Sequence, residues 1–236
     1  MDINISERKT KINANKKTVL MTEGSVFKNI LFFSIPLILG NLLQQMYNAV
    51  DSIVVGNCVS KNALAAVGSS TSLIYLLIAF SQGAAVGAGV IVAQYLGAKN
   101  KEKVHISVHT ALAISAILGL ALTIGGVLFS RPLLIWMNTP SEILSESVIY
   151  LKIYSGGMLF NVIYNMAAGI MNAAGNSKRS LYYLAVASFV NIVLDLLLIG
   201  VFEMGVAGAA IATNISQVVS CVLAMLFLMK TPAEYK

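Results

Sequence analysis

The chain has 236 residues, of which 57% are hydrophobic and only 11% are charged, whereas soluble domains carry about 25% charged residues. This composition and a mean hydropathy of +0.80 argue against a soluble domain and against a disordered chain. Two distant cysteines argue against a disulfide scaffold, so the class that remains is a polytopic membrane protein.

The first 26 residues are polar and basic, and they predict a cytoplasmic tail. They are not expected to be a signal peptide, because the apolar run that follows is too long and contains Pro36. A membrane bundle is predicted over 27–230, with a short cytoplasmic end at 231–236. Its six apolar stretches are each long enough to cross about 30 Å of hydrocarbon, and they must be helical because lipid offers no partner to a free backbone amide. These predicted spans are 28–56, 63–96, 105–129, 147–173, 181–202 and 206–229.

Short polar breaks separate the predicted spans, and they lie at 56–62, 97–103, 130–146, 175–180 and 202–205. Counting basic residues on alternate sides assigns 13 of the 16 Lys and Arg residues to the side of the amino terminus. Only Lys61, Arg131 and Lys152 fall on the other side. The positive-inside rule therefore predicts that both termini are cytoplasmic. The basic residues are expected to face anionic lipid, since no zinc spacing or basic–aromatic pattern indicates nucleic acid.

Two acidic residues, Asp51 and Asp195, fall inside predicted spans, where each costs roughly 2.5–3.5 kcal/mol to insert. At 1.5 Å per residue, both lie about 9 to 10 Å from the outer end of their spans, and so does Thr213. Asn191 precedes Asp195 by one helical turn on the same face. Oxygen ligands at one depth predict a site for a hard cation or a shared proton, and the alternative is a structural hydrogen bond between helices.

Polar side chains also form stripes on two spans. A polar stripe must face protein or water, so it predicts a water-lined cavity, with interhelical hydrogen bonding as the alternative. Pro36 permits a bend in the first span. The residues predicted to line the cavity are Asn41, Gln44, Gln45, Asn48, Asn161 and Gln217. Asn165 shares a face with Asn161 and Asn172, and it is expected either to line the cavity or to approach the acid cluster.

Small residues and histidines supply weaker patterns. Gly83 and Gly87 form a G-x-x-x-G pair, and Gly205, Gly208 and Ala212 form a similar strip. Both patterns predict close helix packing. His105 and His109 have a spacing that can hold zinc, but without a third ligand nearby they are expected to pack at the interface. Phosphate loops, nucleophile elbows and dinucleotide fingerprints are absent from the sequence, so no enzyme activity and no cofactor is expected.

Four stretches, taken in order, resemble the multidrug and toxic compound extrusion (MATE) family. They are VDSIVVGNCVSKNALAAVG at 50–68, GAGVIVAQYLGAKN at 87–100, AGIMNAAGNSKRS at 168–180 and NIVLDLLLIGVFEMGVAGAAIATNISQ at 191–217. The resemblance covers about residues 20–230. It implies a cation or proton site in the amino-terminal lobe, with the family's residues falling on Asp51, Asn191, Asp195 and Thr213. A further member of that network falls on Asn165.

The resemblance also implies architecture. The family has twelve spans in two six-helix lobes, a parallel-repeat arrangement, and this sequence ends after the sixth. The expected fold is therefore an all-α membrane protein, a six-transmembrane-helix bundle that forms one half of a twelve-helix, two-lobe transporter. We expect either a shortened product or a half that a second lobe or a second copy completes.

The function expected from these observations is a cation-coupled antiporter in a bacterial cell membrane, driven by H⁺ or Na⁺, that exports amphipathic, cationic organic compounds. One alternative is a flippase for lipid-linked sugars, which would need a more basic cavity than this sequence supplies. Another is an intramembrane aspartyl protease, for which the Gly-x-Gly-Asp context is missing, since Ile192, Val193 and Leu194 precede Asp195.

Overall fold

The computed structural model describes residues 26–230 of the chain. Apart from Val26, the tail predicted at 1–26 lies outside the described residues, as does the end predicted at 231–236. Within 26–230 the chain forms helices and no strands. The helices are α1 Val26–Cys58, α2 Lys61–Gly97, α3 Lys101–Trp136, α4 Ser141–Gly156, α5 Met158–Ala173, α6 Ser177–Asp195 and α7 Gly205–Lys230, with a π-helix at Leu196–Val201 between the last two.

Several helices begin and end at residues that cap the free backbone groups of the helix or allow the chain to turn. The Ser60 hydroxyl accepts a hydrogen bond from the Ala63 amide at 3.0 Å and caps α2, and Asn100 caps α3 by accepting from Lys103. Lys99 and Gly175 follow α2 and α5 with positive φ angles of 54° and 77°, which end a helix in the left-handed conformation. Short turns of this kind place consecutive helices side by side.

The helices form six antiparallel rods, because α4 and α5 together make the fourth and α6 with its π-helix makes the fifth. Four rods are long and apolar enough on their own to cross a membrane, namely α2, α3, α6 with its π-helix, and α7. Together with the absence of strands in the described residues, this confirms the prediction of an all-α membrane protein. The bundle has a basic end, which carries Lys99, Lys101, Lys103, Lys178, Arg179 and Lys230, and an opposite end where α1 finishes and α2 begins.

Two apolar cores hold the rods together, one toward each end. The core toward the opposite end joins Val55 of α1 and Val67 of α2 to Leu151 of α4. The core toward the basic end joins Val104 of α3 to Ile170 of α5 and Leu228 of α7. The buried polar residues of α1, α6 and α7 lie between and beside these cores, which fixes their depth in the bundle.

The prediction that Gly83 and Gly87 bring two helices together is wrong. A Cβ atom added to either residue would meet no atom of residues 26–230 within 4 Å. The close approach of α2 to α5 is two residues away, where a Cβ at Gly89 would lie 3.2 Å from the Gly169 carbonyl oxygen. Two residues rotate a helix by about 200°, so the predicted pair lies on the opposite, outward face. The Gly208 prediction is confirmed, since a Cβ there would lie 3.3 Å from the Leu198 backbone in the π-helix.

Two predicted boundaries differ from the structure. The polar break expected at 130–146 is a short turn, because α3 continues to Trp136 and α4 begins at Ser141. Helices extend beyond the hydrocarbon as long as their backbone hydrogen bonds are satisfied, so an apolar stretch marks only part of a helix. The fourth span, predicted as continuous, is divided at Gly157.

Candidate cation site

The two membrane acids lie on neighbouring helices and both point into the bundle. Asp51 of α1 is 6% exposed, and Asp195, the last residue of α6, is fully buried. The π-helix begins directly after Asp195. Its turns are wider than those of an α-helix, because the Phe202 amide donates to the Leu197 carbonyl five residues back. The helices that carry the two acids, α1 and α6, pack directly against each other. Sequence depth alone predicted this proximity.

Polar side chains from α6 and α7 complete the surroundings of the acids. The Asn191 side-chain amide donates to the Thr213 hydroxyl at 3.4 Å, which joins the two helices. Both residues are buried. Gln217 lies one turn beyond Thr213 on α7 and is 7% exposed. These contacts bring together four of the residues predicted for the cation site, namely Asp51, Asn191, Asp195 and Thr213.

The cluster contains more hydrogen-bond acceptors than donors. Five of its oxygens are buried without a hydrogen-bond partner among the described residues: one on Asp51, both on Asp195, and the side-chain carbonyls of Asn191 and Gln217. Leaving a buried acceptor unpaired costs about 1–3 kcal/mol, and more when it is charged. A proton shared by the carboxyl groups, or a cation bound beside them, would supply a partner to the acids, so the oxygen-rich set of side chains fits the expected coupling ion.

The cluster offers oxygen ligands. The described residues contain no cluster of three or more His, Cys, Asp or Glu side chains that could hold a metal ion. The cluster consists of two carboxylates with neutral amide and hydroxyl oxygens, and oxygen atoms are the ligands that hard cations prefer. The histidine pair lies elsewhere, on the exposed face at the start of α3, with its ring centroids 4.3 Å apart.

A first cavity, which we call the acid chamber, adjoins Asp51 and has a volume of about 240 Å³. It includes Gln45 and Asn48 from the predicted stripe of α1, and Thr213 from the cation cluster. Three tyrosines, Tyr75, Tyr150 and Tyr154, also line it. The chamber therefore combines a carboxylate with aromatic faces.

A second cavity, which we call the amide chamber, lies toward the basic end and has a volume of about 120 Å³. Its lining contains seven carboxamide side chains and no charged residue. The seven are Asn41, Gln44, Gln82, Asn161, Asn165, Asn172 and Gln217. The predicted stripe of α1 is thus shared between two chambers, with its first two members in this one.

Asn165 belongs to the amide chamber by its contacts. Its NH₂ group donates to the Asn161 side chain at 2.9 Å and to the Ser81 hydroxyl at 3.1 Å. Among the described residues Asn165 makes no hydrogen bond to Asp51 or Asp195, so its contacts favour the cavity wall over the acid cluster. Asn172, on the same face of α5, accepts from Ser180 at 2.8 Å.

The tyrosines that line the acid chamber were not predicted from the sequence. Tyr150 and Tyr154 are one turn apart on α4, with ring centroids at 6.2 Å, and this spacing was the available signal. A tyrosine in a span is amphipathic and equally typical of the lipid interface, so the residue type alone did not separate the two positions.

The division of the fourth rod at Gly157 was also not predicted from the sequence. The backbone groups around Gly157 find side-chain partners on two other helices, because Asn214 of α7 donates to the Ile153 carbonyl and Thr123 of α3 accepts from the Leu159 amide at 3.1 Å. Asn214 follows Thr213, so the break in the fourth rod is tied to the helix that carries a cation-site residue.

An all-helical membrane bundle with buried carboxylates and two polar chambers is an architecture typical of membrane transport proteins. The comparisons agree with this class. The MatE family model matches residues 36–197, and the chain belongs to the MatE family.

Curated relatives give the same result. The chain is 33% identical over 213 residues to the probable multidrug resistance protein YoeA of Bacillus subtilis, covering 89% of this chain and 46% of that protein. It is 31% identical to the probable multidrug resistance protein YpnP of the same organism, over 89% of this chain and 47% of that one. The chain therefore spans about half the length of the relatives it matches.

Solved structures support the predicted fold. A crystal structure of a MATE protein in its bent conformation matches with a TM-score of 0.84 and 31% identity, over 90% of this chain and 47% of that one. An outward-facing MATE transporter of the MOP superfamily matches with the same TM-score and identity. The predictions of the family and of a six-helix half are confirmed.

Proposed function

We propose that this chain acts as one lobe of a cation-coupled exporter of amphipathic organic cations, with H⁺ or Na⁺ as the coupling ion. The observation that carries the proposal is the set of five unpaired acceptor oxygens around Asp51 and Asp195. Relatives with the names multidrug resistance protein and multidrug export protein support the substrate class.

The mechanism follows from the charge of the site. Two carboxylates held near each other in a bundle repel, and a proton or cation bound between them removes that repulsion. The ligand shifts the conformational equilibrium only by its differential affinity for the two states. A conformation in which α1 and α6 stay close is therefore favoured when the ion is bound, and the ion-free site favours their separation.

The substrate is proposed to enter the acid chamber. A cationic organic group there would meet the Asp51 carboxylate and the faces of Tyr75, Tyr150 and Tyr154, and a cation over an aromatic face gains about 0.5–2 kcal/mol. Substrate and coupling ion then compete for one carboxylate, which is a simple basis for exchange. Neither chamber has a Lys or Arg in its lining, so the described residues favour cations over the anionic headgroups that a flippase would handle.

The orientation and the partner are part of the proposal. With 13 of 16 basic residues on one side, the basic end is assigned to the cytoplasm, as are the two ends of the chain that lie outside the described residues. The 1–26 segment is proposed as a tail and 27–230 as the bundle. A second lobe, on another chain or a second copy of this one, would complete the central cleft.

The test is a pair of isosteric substitutions, Asp51→Asn and Asp195→Asn, in reconstituted protein with imposed pH or sodium gradients. Each is expected to reduce gradient-driven efflux of a fluorescent cationic dye at least tenfold. Each should also reduce the cation-dependent rise in melting temperature of the purified chain. Glu203→Gln is the matched control, because it neutralises an exposed carboxylate in the turn before α7.

The stabilisation measurement makes the test independent of whether the chain transports without a second lobe. If both substituted proteins keep the cation-dependent stabilisation of the wild type, the assignment of the cation site is wrong. If stabilisation is lost but the wild type carries no dye under either gradient, the lobe binds the ion and export by this chain alone is excluded.

A further inference from the structure

The amide chamber extends from the cation cluster almost to the basic end. At its inner limit lies Gln217, one turn along α7 from Thr213, which lines the acid chamber. At its other limit lie Asn172, the second-to-last residue of α5, and Ser180, the fourth residue of α6. The chamber thus covers the depth between the cation site and a point within about one turn of the helix ends.

Gln217 carries an unpaired group where the two chambers approach each other. The residue is 7% exposed, and its side-chain oxygen is buried without a hydrogen-bond partner. Asn191, whose NH₂ group contacts Thr213, likewise has an unpaired oxygen. A series of available neutral oxygens therefore leads from the carboxylates toward the amide chamber.

The chemistry of the chamber wall suits a cation that keeps part of its water. Amide carbonyl and hydroxyl oxygens are ligands for hard cations, and no positive side chain lines the chamber to repel one. The NH₂ group of Asn165 is already engaged by Asn161 and Ser81, which leaves its carbonyl as the group with bonding capacity. A volume of about 120 Å³ has room for several waters, at about 30 Å³ for each.

The charges around the amide chamber favour the passage of cations over anions. Beyond the neutral wall lie two acids, Asp51 and Asp195, whose buried oxygens have no hydrogen-bond partner among the described residues. In their ionised form they make the potential at the inner end of the chamber negative. Lys178 and Arg179 flank the exit at the start of α6, where both side chains are exposed to solvent. Solvent screens exposed charges within about 10 Å, so the buried acids dominate inside.

We propose that the amide chamber is the cytoplasmic route of the coupling ion, through which a partly hydrated monovalent cation passes between the acids and the basic end, with Gln217 as its ligand at the junction. The inference rests on the proposed function for the identity of the ion. It assigns the chamber to the ion, whereas the acid chamber is assigned to the organic substrate. The coupling ion and the organic substrate thus use different cavities of the lobe.

The test places single cysteines along the chamber in a background of Cys58→Ser and Cys221→Ala. The substitutions are Asn172→Cys, Asn161→Cys and Gln217→Cys, and the matched control is Ile215→Cys, which lies on the exposed face of the same helix as Gln217. Sealed vesicles of each orientation are treated with two methanethiosulfonates of similar size, one bearing a trimethylammonium group and one a sulfonate.

The three chamber cysteines are expected to react from the basic side only, in the order of their depth, with the residue nearest the basic end fastest. The cationic reagent should react at least tenfold faster than the anionic one at the chamber positions, whereas the Ile215→Cys control, on the outward face of a membrane-spanning helix, should react with neither reagent. Adding the Asp51→Asn and Asp195→Asn substitutions should reduce the preference, because the potential comes from those carboxylates.

Three results would overturn the inference. The first is that the chamber cysteines react from the side opposite the basic end. The second is that none of the three cysteines reacts in proteins that retain the wild-type melting temperature, and the third is that the cationic and anionic reagents react at equal rates. The readout does not require transport. A cation preference that persists without the two acids would contradict the proposed cation site, while labelling that fails beside an intact cation-dependent stabilisation would contradict only the route.

Discussion

At the scale of single residues, the hydroxyl of Thr213 has two tasks, since it accepts from Asn191 at 3.4 Å and faces the acid chamber. Thr213→Val keeps the shape of the side chain and removes the hydroxyl, which leaves the Asn191 NH₂ group unpaired. The loss of one such partner costs about 1–3 kcal/mol. We expect cation affinity, read from the cation-dependent melting temperature, to fall roughly tenfold, which corresponds to about 1.4 kcal/mol.

Thr213→Ser is the control for this prediction, because it keeps the oxygen and loses only a methyl group. Serine should bind the cation within a few-fold of the wild type. Equal affinities for the valine and serine proteins would mean that the hydroxyl does not participate, and that the threonine serves only to pack α7 against α6.

The residues of the site were predictable to the extent that hydropathy exposes them. A carboxylate is costly to insert into an apolar span and is rare there, so Asp51 and Asp195 stand out from the sequence. Tyr154 differs, because a tyrosine is not unusual near a membrane, and Gln217 was predicted as a cavity residue but not as a neighbour of the acids. Which of the polar residues of α1 share a chamber depends on the helices opposite them, and a single sequence does not contain that adjacency.

At the scale of elements, the break at Gly157 depends on a contact that leaves no room for a side chain. The φ angle of Gly157 is −92°, which any residue adopts, but a Cβ there would overlap the Asn214 amide. Gly157→Ala should therefore lower the free energy of unfolding by about 1–3 kcal/mol through overpacking, which is measured as a lower melting temperature. It should also displace the Asn214 hydrogen bond to Ile153. Gly156→Ala is the control, since a Cβ there meets nothing within 4 Å.

A double substitution separates overlap from a general loss of helix packing. Asn214→Ala should be less damaging in the Gly157→Ala protein than in the wild type, because the atoms that collide have been removed. Fully additive effects would show that the two residues do not interact. An unchanged melting temperature in Gly157→Ala would contradict the contact itself.

Helix interfaces were harder to predict than helices. The G-x-x-x-G spacing of Gly83 and Gly87 is the sequence pattern of a close contact, yet the contact uses Gly89 and Gly169. Small and apolar residues occur on every face of α2, so its sequence does not distinguish the face that meets α5 from the one that points outward. The π-helix after Asp195 likewise has no signature among the residues of Leu196–Val201.

At the scale of the whole molecule, orientation can be tested with a residue that the chain already contains. Cys58 is exposed at the last position of α1, at the opposite end from the basic residues, whereas Cys221 is buried. If the basic end is cytoplasmic, a membrane-impermeant maleimide added to intact cells should modify the chain, and Cys58→Ser should abolish the modification.

Lysis supplies the control, because disrupted cells expose both faces. Modification that appears only after lysis would place Cys58 in the cytoplasm and reverse the orientation. The number of rods was predictable from apolar length, while their extents were not, because α3 and α4 continue well past the hydrocarbon and meet in a turn of four residues at 137–140.

The wider turns that follow Asp195 give the fifth rod a property that a regular helix lacks. A π-helix holds one residue more than an α-helix of the same number of turns, and the surplus can move along the rod as hydrogen bonds shift from the fifth residue back to the fourth. Each such shift rotates the residues it passes by about 100°. The acid could thus turn toward or away from α1 while the rod stays helical and both of its ends stay fixed in the bundle.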